Sequence, residues 1–359
     1  MKYSIVMPVY NVQTYLKDSV ADIKNQSFSD WELILVDDCA TDLSGKLCDE
    51  LADSDEPETH VWADEFMIEE VVNNYLSNAR NQGMAVAQGD YILFLDPDDR
   101  YDTKLLEQIE KSLKRNNAKV VLFGLVEEYY DQSSKIEYTK KIVPVEGYFD
   151  TPQKVRKQVL NLECQTLFGY AWNKAYKLSY LRQLGVQFQK ITMIEDVIFN
   201  IDVFRKLDSC NQIAKPLYHY AIRKKGSLTT KYLPNYFELH ESRVERMCQM
   251  HRDWGMETSD ELKQLGGIYC RYFLSALQRN CSKAAKMSHL DRKNWIKKQF
   301  QSPTYQRMKE SLYPDNRLLK LLAWGIRNEK IEFCLFMGRA IYIVKEKCPG
   351  IFSRLKQNR

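Results

Sequence analysis

Four short apolar runs limit what this chain can fold into: YSIVMPV at 3–9, WELILV at 31–36, YILFL at 91–95 and KVVLFGLV at 119–126. None alternates apolar with polar residues, as a strand with one wet face does, so each reads as a strand covered on both faces. Between them apolar residues recur a helical turn apart: Leu16, Val20 and Ile23; Leu43, Leu47 and Leu51; Leu105, Ile109 and Leu113. The last set follows Asp102 and Thr103, residue types that start helices. Strand and helix in alternation predict an α/β fold, a Rossmann-like and mainly parallel sheet with helices on both faces.

At 359 residues the chain exceeds one ordinary core. From about residue 235 the pattern turns helical, with Tyr269, Phe273 and Leu277 a turn apart and a cluster at Leu318, Leu319, Leu321, Leu322 and Trp324. The boundary is placed at Leu233-Pro234-Asn235, giving an α/β domain over 1–232 and a helical, basic domain over 233–359. The net charge of +4 is uneven, since residues 300–359 hold 12 Lys/Arg against 5 Asp/Glu. That basic end predicts peripheral contact with an anionic membrane; a solvated helix face or a homodimer face would use the same residues. Nucleic acid is not an expected partner, because no aromatic platform is interleaved with the basic residues. The start MKYSIVMPVY is too strand-like for a signal peptide. Phe333 to Val344 is interrupted by Arg339 and falls short of the roughly 20 residues of a span. Nine cysteines without a C-x-x-C pair read as buried free thiols, Cys39, Cys48, Cys164 and Cys210 among them. The expected location is the cytoplasm, at the inner face of the cell membrane.

Ligands of such sheets bind beyond the carboxyl ends of the strands. Polar residues gather there: Tyr10-Asn11 after the first run, Asp37-Asp38 after the second, and Asp96-Pro97-Asp98-Asp99 after the third. A turn needs one Asp at most. Two carboxylates at D-x-D spacing suit a hard divalent cation that keeps substrate phosphates in its shell. Neither a G-x-x-x-x-G-K loop nor a G-x-G-x-x-G turn is present to hold a phosphate instead. Aspartyl-phosphate phosphatases also end a strand in D-x-D, but they want Thr or Val where this chain has Arg100. In LSNARNQG (76–83), Arg80 lies on a small, apolar helix face and calls for an anion, either a carboxylate at the sheet edge or a phosphate of the ligand. In ITMIEDVIFN (191–200), Glu195 and Asp196 sit in an apolar frame that pushes a carboxyl upward, as suits a general base; one of them could equally cap a helix. In PLYHYAIRKKGSLTT (216–230), Arg223, Lys224 and Lys225 form a basic loop able to close on a diphosphate.

These stretches, in this order, resemble glycosyltransferase family 2 with its GT-A fold, from about Lys2 to Lys231. The segments are SIVMPVYN, ELILVDD, LSNARNQG, GDYILFLDPDD, AWNKAYK, IEDVIFN and LYHYAIRKKGS, similar especially to bacterial capsule, exopolysaccharide and adhesin glycosylation enzymes. The resemblance implies inverting, metal-dependent transfer of a hexose from a UDP-sugar to a glycan acceptor, lipid-linked or on a glycoprotein. It implies Pro8, Val9 and Tyr10 beside the base, Asp38 reading the uracil, Asp96 at the ribose or metal, and Asp98 on Mn²⁺ or Mg²⁺. It also implies Asp196 as the base, with Glu195 the neighbouring candidate, and Arg223 with Lys224 on the donor phosphates. Trp172, Asn173 and Lys174 would shape the sugar and acceptor pocket. The alternative is a catalytically silent GT-A subunit that stabilises an active transferase. Departures are Cys39-Ala40 where the family has Gly-Ser, Asn74-Tyr75 where it has glycines, and an acidic insertion, DSDEPETHVWADEFMIEE, that would cover part of the donor site.

Overall fold

All seven residues of β1 (Tyr3–Val9) and all seven of β2 (Trp31–Asp37) are buried, as unbroken apolar runs require. The computed structural model describes residues 2–52, 58–62, 75–191, 193–223 and 232–348. The chain divides into two compact units, Met1–Thr229 and Thr230–Arg359.

In the first unit, β1 and β2 are joined by β3 (Glu58–Trp62) and β4 (Tyr91–Phe94) in a four-strand parallel set ordered β3-β2-β1-β4. The sheet continues through β5 (Arg100–Tyr101), β6 (Val120–Tyr130), β7 (Ile136–Ile142), β8 (Gly147–Phe149), β9 (Lys174–Lys177) and β10 (Cys210–Ile222). Beyond β4 the order is β9-β6-β10-β5, with β9 antiparallel to both its neighbours and β6 parallel to β10. Because β1 lies between β2 and β4, the order reverses there, and the carboxyl ends of these three strands form one crevice.

Helices α1 (Leu16–Lys24), α2 (Ser44–Ala52), α3 (Tyr75–Val86) and α4 (Leu105–Arg115) carry most of the crossovers, followed by α5 (Pro152–Cys164), α6 (Leu178–Leu184) and α7 (Glu195–Arg205). In α1 and α4 the expected faces are the buried ones: Leu16, Val20 and Ile23, then Leu105, Ile109 and Leu113. In α2 the expected leucine face is not. Leu43 precedes the helix and is exposed, and the buried residues are Ser44, Gly45 and Cys48. Polar anchors set this roll: Ser44 Oγ accepts the Val12 N–H at 2.9 Å, and the Asp42 carboxylate accepts the Ser44 N–H at 2.9 Å. Two strands had no local signature: part of AWNKAYK enters the sheet as β9, and β10 runs to Ile222, so Tyr218, His219 and Tyr220 lie in a strand directly before the expected basic loop.

The second unit is helical among its described residues: α8 (Tyr236–Asp253), α9 (Ser259–Arg279), α10 (His289–Gln299), α11 (Pro303–Met308), α12 (Arg317–Arg327) and α13 (Ile331–Lys347). Tyr269, Phe273 and Leu277 of α9 are buried as expected, but of the Leu318–Trp324 cluster only Leu322 is. No described helix is long and apolar enough to cross a membrane. The thiols are free, and Cys48, Cys210, Cys248, Cys270 and Cys334 are buried; Cys39 and Cys164, expected inside, are exposed.

Candidate active site

The DPDD turn gives each acid a different neighbour. Asp99, one residue beyond the D-x-D pair, is buried and structural: Oδ2 accepts the Tyr218 hydroxyl and Oδ1 the Ala221 N–H, both at 2.8 Å, which ties the turn to β10. Burial, with Asp98 and Asp96 adding repulsion, holds its pKa well above the carboxylate range. From the other side Ser19 of α1 pins the turn, its Oγ lying 2.7 and 2.9 Å from the carbonyl oxygens of Pro97 and Asp99. Neither anchor was among the expected site residues, although a third acid beside a D-x-D pair was the available signal for Asp99.

Asp98 Oδ2 lies 3.2 Å from Arg223 Nη1, and Arg223 Nη2 donates to the Asp98 carbonyl at 2.8 Å. The guanidinium lies over Tyr15 at 4.2 Å and over Tyr130 at 5.2 Å, so it is held at the rim of the crevice. Lys224 and Lys225 lie outside the described residues.

Asp96 faces inward, toward Arg80. That side chain is 1% exposed and forks between two carboxylates: Nη2 to Asp96 Oδ1 at 2.8 Å and Nη1 to Asp196 Oδ1 at 2.5 Å. Of the anions anticipated for Arg80, the structure supplies the carboxylates, one from the end of β4 and one from the start of α7. Asp196 Oδ2 also accepts the Ala171 N–H at 3.0 Å. Each of its oxygens keeps a second lone pair for another donor. Glu195 and Asp196 both occupy the first turn of α7, where the helix dipole favours negative charge. Glu195 Oε2 is buried without a hydrogen-bond partner among the described residues. Its pKa is pushed up to about 7, first by burial and then by Asp196.

Behind Ala171, Lys174 gathers the chain. Its buried ammonium donates to the carbonyls of Leu167, Phe168 and Tyr170 and to Asn173 Oδ1 at 2.5–3.1 Å. Lys174 and Asn173 are fully buried and act by holding this loop. Trp172 stacks between Tyr170 at 4.2 Å and Tyr218 at 4.0 Å, which fixes the backbone that presents the Ala171 N–H to Asp196.

On the β1–β2 side, Asp38 N–H donates to Val9 O at 2.9 Å. Pro8 and Val9 are buried in the sheet, and Tyr10 is the residue of that trio that reaches solvent. Asp38 Oδ1 is buried and unpartnered among the described residues, and burial beside Asp37 pushes its pKa up to about 7. A buried acceptor without a donor is unusual and marks a place for one from a ligand. Cys39 has φ +58°, the left-handed region that glycine occupies without cost, which accounts for the family's glycine there. Asn74, the Tyr75 side chain and the acidic insertion apart from β3 lie outside the described residues.

A divalent cation at the D-x-D turn fits these residues. An arginine engages one oxygen each of Asp96 and Asp98, and a second carboxylate oxygen remains on each residue. No trio of His, Cys, Asp or Glu able to hold a metal converges among the described residues. Mg²⁺ and Mn²⁺ commonly take one or two carboxylates and complete their shell with substrate phosphate and water.

A Rossmann-like sheet, a D-x-D turn and a carboxylate pair at a facing helix start define a GT-A glycosyltransferase. The family model described as glycosyl transferase family 2 matches residues 4–185, just over half of the chain, and the chain belongs to that family. It is 24% identical to the uncharacterized glycosyltransferase EpsJ of Bacillus subtilis (strain 168), over 95% of this chain and 94% of that protein. It is 25% identical to a poly(ribitol-phosphate) beta-glucosyltransferase of Bacillus spizizenii, over 83% of this chain and 44% of that protein. The crystal structure of S. aureus TarS 1–349 in complex with UDP superposes with a TM-score of 0.65 at 16% identity, covering 95% of this chain and 91% of that one.

Proposed function

We infer that the chain transfers a hexose from a UDP-sugar, with inversion and with one divalent cation, to a glycan acceptor of a bacterial surface polymer. The observation that carries this reading is the Arg80 bridge. One buried guanidinium holds the proposed metal carboxylate, Asp96, and the proposed base, Asp196, next to one another. The solved complex of TarS with UDP and the polymer named for the Bacillus spizizenii relative support the donor and the acceptor class.

In this reading Tyr10 covers the base and Asp38 Oδ1 accepts the uracil imide N–H. Asp96 and Asp98 would hold Mn²⁺ or Mg²⁺, which when bound supplies positive charge to the departing diphosphate. Arg223 turns from Asp98 toward the same phosphates. Asp196 takes the proton of the acceptor hydroxyl as that oxygen attacks the anomeric carbon, opposite the departing nucleotide. Glu195, beside it, meets a sugar hydroxyl with its unpartnered Oε2.

Calorimetric titration of UDP with Mn²⁺ tests the site. Binding is expected with metal, and to be lost both with chelator and in Asp98→Asn. UDP binding that ignores both the metal and this substitution would refute the assignment. A chain that binds UDP in this way yet hydrolyses and transfers no sugar would be the silent subunit.

Asp38 adds a pH dependence. Its folded pKa, raised from 3.8 to about 7, means that the folded chain holds a proton there which the unfolded chain has released. Stability therefore falls as pH rises from 3.8 to about 7 and levels off above it. UDP affinity should rise as pH passes through about 7, where the folded carboxylate becomes free to accept the imide. Asp38→Asn should flatten the dependence relative to the parent, with both titrated from pH 5.5 to 8.5. Parallel curves would remove Asp38 from base recognition.

A further inference from the structure

Helix α13 buries one apolar face and carries two large apolar side chains among the charges of the opposite side. Cys334, Met337, Gly338 and Ile341 are buried, and Gly338 meets α9 so closely that a Cβ there would lie 2.7 Å from Leu277 Cβ. On the far side Phe336 is 65% exposed and Ile343 41%. Neighbouring α12 repeats the pattern: Leu322, Ala323, Gly325 and Ile326 are buried, while Leu321 is 57% and Trp324 48% exposed. The two helices join edge to edge, with Trp324 and Phe333 in a T-shaped contact at 5.5 Å. A shallow cleft of about 540 Å³ brings the end of α10 to the same place, with Lys293, Lys297 and Lys330 around Trp324, Ile331 and Phe333. Lys293 is ion-paired to Glu332, whereas Lys297 and Lys330 have no carboxylate partner among the described residues. Arg317, Lys320 and Arg339 are exposed on the outer faces of α12 and α13.

Large side chains exposed singly need no explanation, but several on adjacent helices, with unpaired cations around them, mark an interaction surface. The charge selects the occupant. Around these apolar side chains Lys297, Arg317, Lys320, Lys330, Arg339, Lys345 and Lys347 are exposed against Glu329, Glu332 and Glu346, so a second copy would meet this face with an excess of like charge. A membrane rich in acidic phospholipid complements it: apolar side chains enter the boundary between headgroup and acyl chain, an indole sits at that depth, and lysines meet the phosphates. We propose that the outer face of α12 and α13, with the lysines of the adjoining cleft, docks the protein on an anionic bilayer. Leu321, Trp324, Phe336 and Ile343 are its inserting residues, and Lys297, Lys320 and Lys330 its headgroup contacts. This inference rests on the second unit alone and stands apart from the assignment of donor and base.

Co-sedimentation of the full chain with phosphatidylcholine vesicles, with and without phosphatidylglycerol, tests it. The parent is expected to sediment with the mixed vesicles, less so at high salt, and not with phosphatidylcholine alone. Phe336→Ser changes an exposed side chain, and Trp324→Ser also removes the contact with Phe333, so the double variant is compared at temperatures below its own melting transition beside Phe336→Ser alone. Its binding should fall roughly tenfold or more, and Lys297→Glu with Lys320→Glu should fall comparably. Equal sedimentation of the parent and both variants overturns the proposal. So does a concentration-dependent dimer that the apolar variant abolishes while the parent ignores vesicles, which would give the face to a second copy.

Discussion

Asp196→Asn is expected to lower the transfer rate by about 10²–10⁴-fold, the usual contribution of a positioned general base. Metal-dependent UDP binding should remain within a few fold of the parent. The side chain has one oxygen toward Arg80 and one toward the Ala171 N–H; an amide of the same shape keeps its oxygen on Arg80, gives up the hydrogen bond from the Ala171 N–H and cannot accept the acceptor's proton. Glu195→Gln serves as the comparison. Burial and the Asp196 charge push the Glu195 carboxyl upward, and it touches no described hydrogen-bond partner through Oε2. If Glu195 holds sugar rather than taking the proton, its variant should change KM more than kcat. A collapse of kcat in Glu195→Gln, with Asp196→Asn near the parent, would exchange the two roles. Single-turnover rates with a labelled donor distinguish these outcomes without ambiguity from product release.

Arg80→Leu should be the most destabilising single change in the first unit. Removing the cation leaves Asp96 and Asp196 with side chains only 25% and 15% exposed and no counter-charge between them, beside a third acid, Glu195. Breaking a buried ion pair from one side costs roughly 3–5 kcal/mol. In a unit of this size that corresponds to a melting temperature lower by about 10 °C. The acids of the variant would hold protons more tightly, so its deficit should shrink as pH falls from 7 toward 5. Arg80→Lys should recover part of the loss, because one ammonium cannot reproduce the fork to two carboxylates. A melting temperature unchanged in Arg80→Leu would show that the bridge contributes nothing to the fold.

The parts of the fold that were legible in the sequence are those with a local signature. The strands β1, β2, β4 and β6 announce themselves because burial on both faces demands uninterrupted apolar residues, and α1 and α4 because one helical face must be apolar. The roll of α2 was misread because hydrogen bonds to Ser44 and Asp42, rather than its leucines, orient it. β10, over Cys210–Ile222, was not read as a strand because exposed Ala214 and Lys215 interrupt its apolar residues. In the second unit, the leucine and tryptophan cluster of α12 was expected inside. Which apolar residues of a two-faced helix are covered depends on what packs beside it.

The same division runs through the site. The D-x-D turn, the Glu195-Asp196 pair, Arg80 and Arg223 were visible as charges where apolar residues or a single turn residue would have sufficed. Their pairing was not. Arg80 lies 16 residues from Asp96 and 116 from Asp196, and no local pattern encodes a fork between them. Nor does anything near Asp99 in the sequence show that it is the anchor while Asp98 faces the crevice. By itself the sequence determined four of the strands, the mainly parallel sheet and the acids at the sheet edge, because backbone periodicity and burial act over a few residues; the strand order came from the structure. Only the tertiary structure decided which charge neutralises which. A buried ion pair is selected by the packing of α3 and α7 against the sheet, and the cost of leaving either partner alone is felt only once both are out of water.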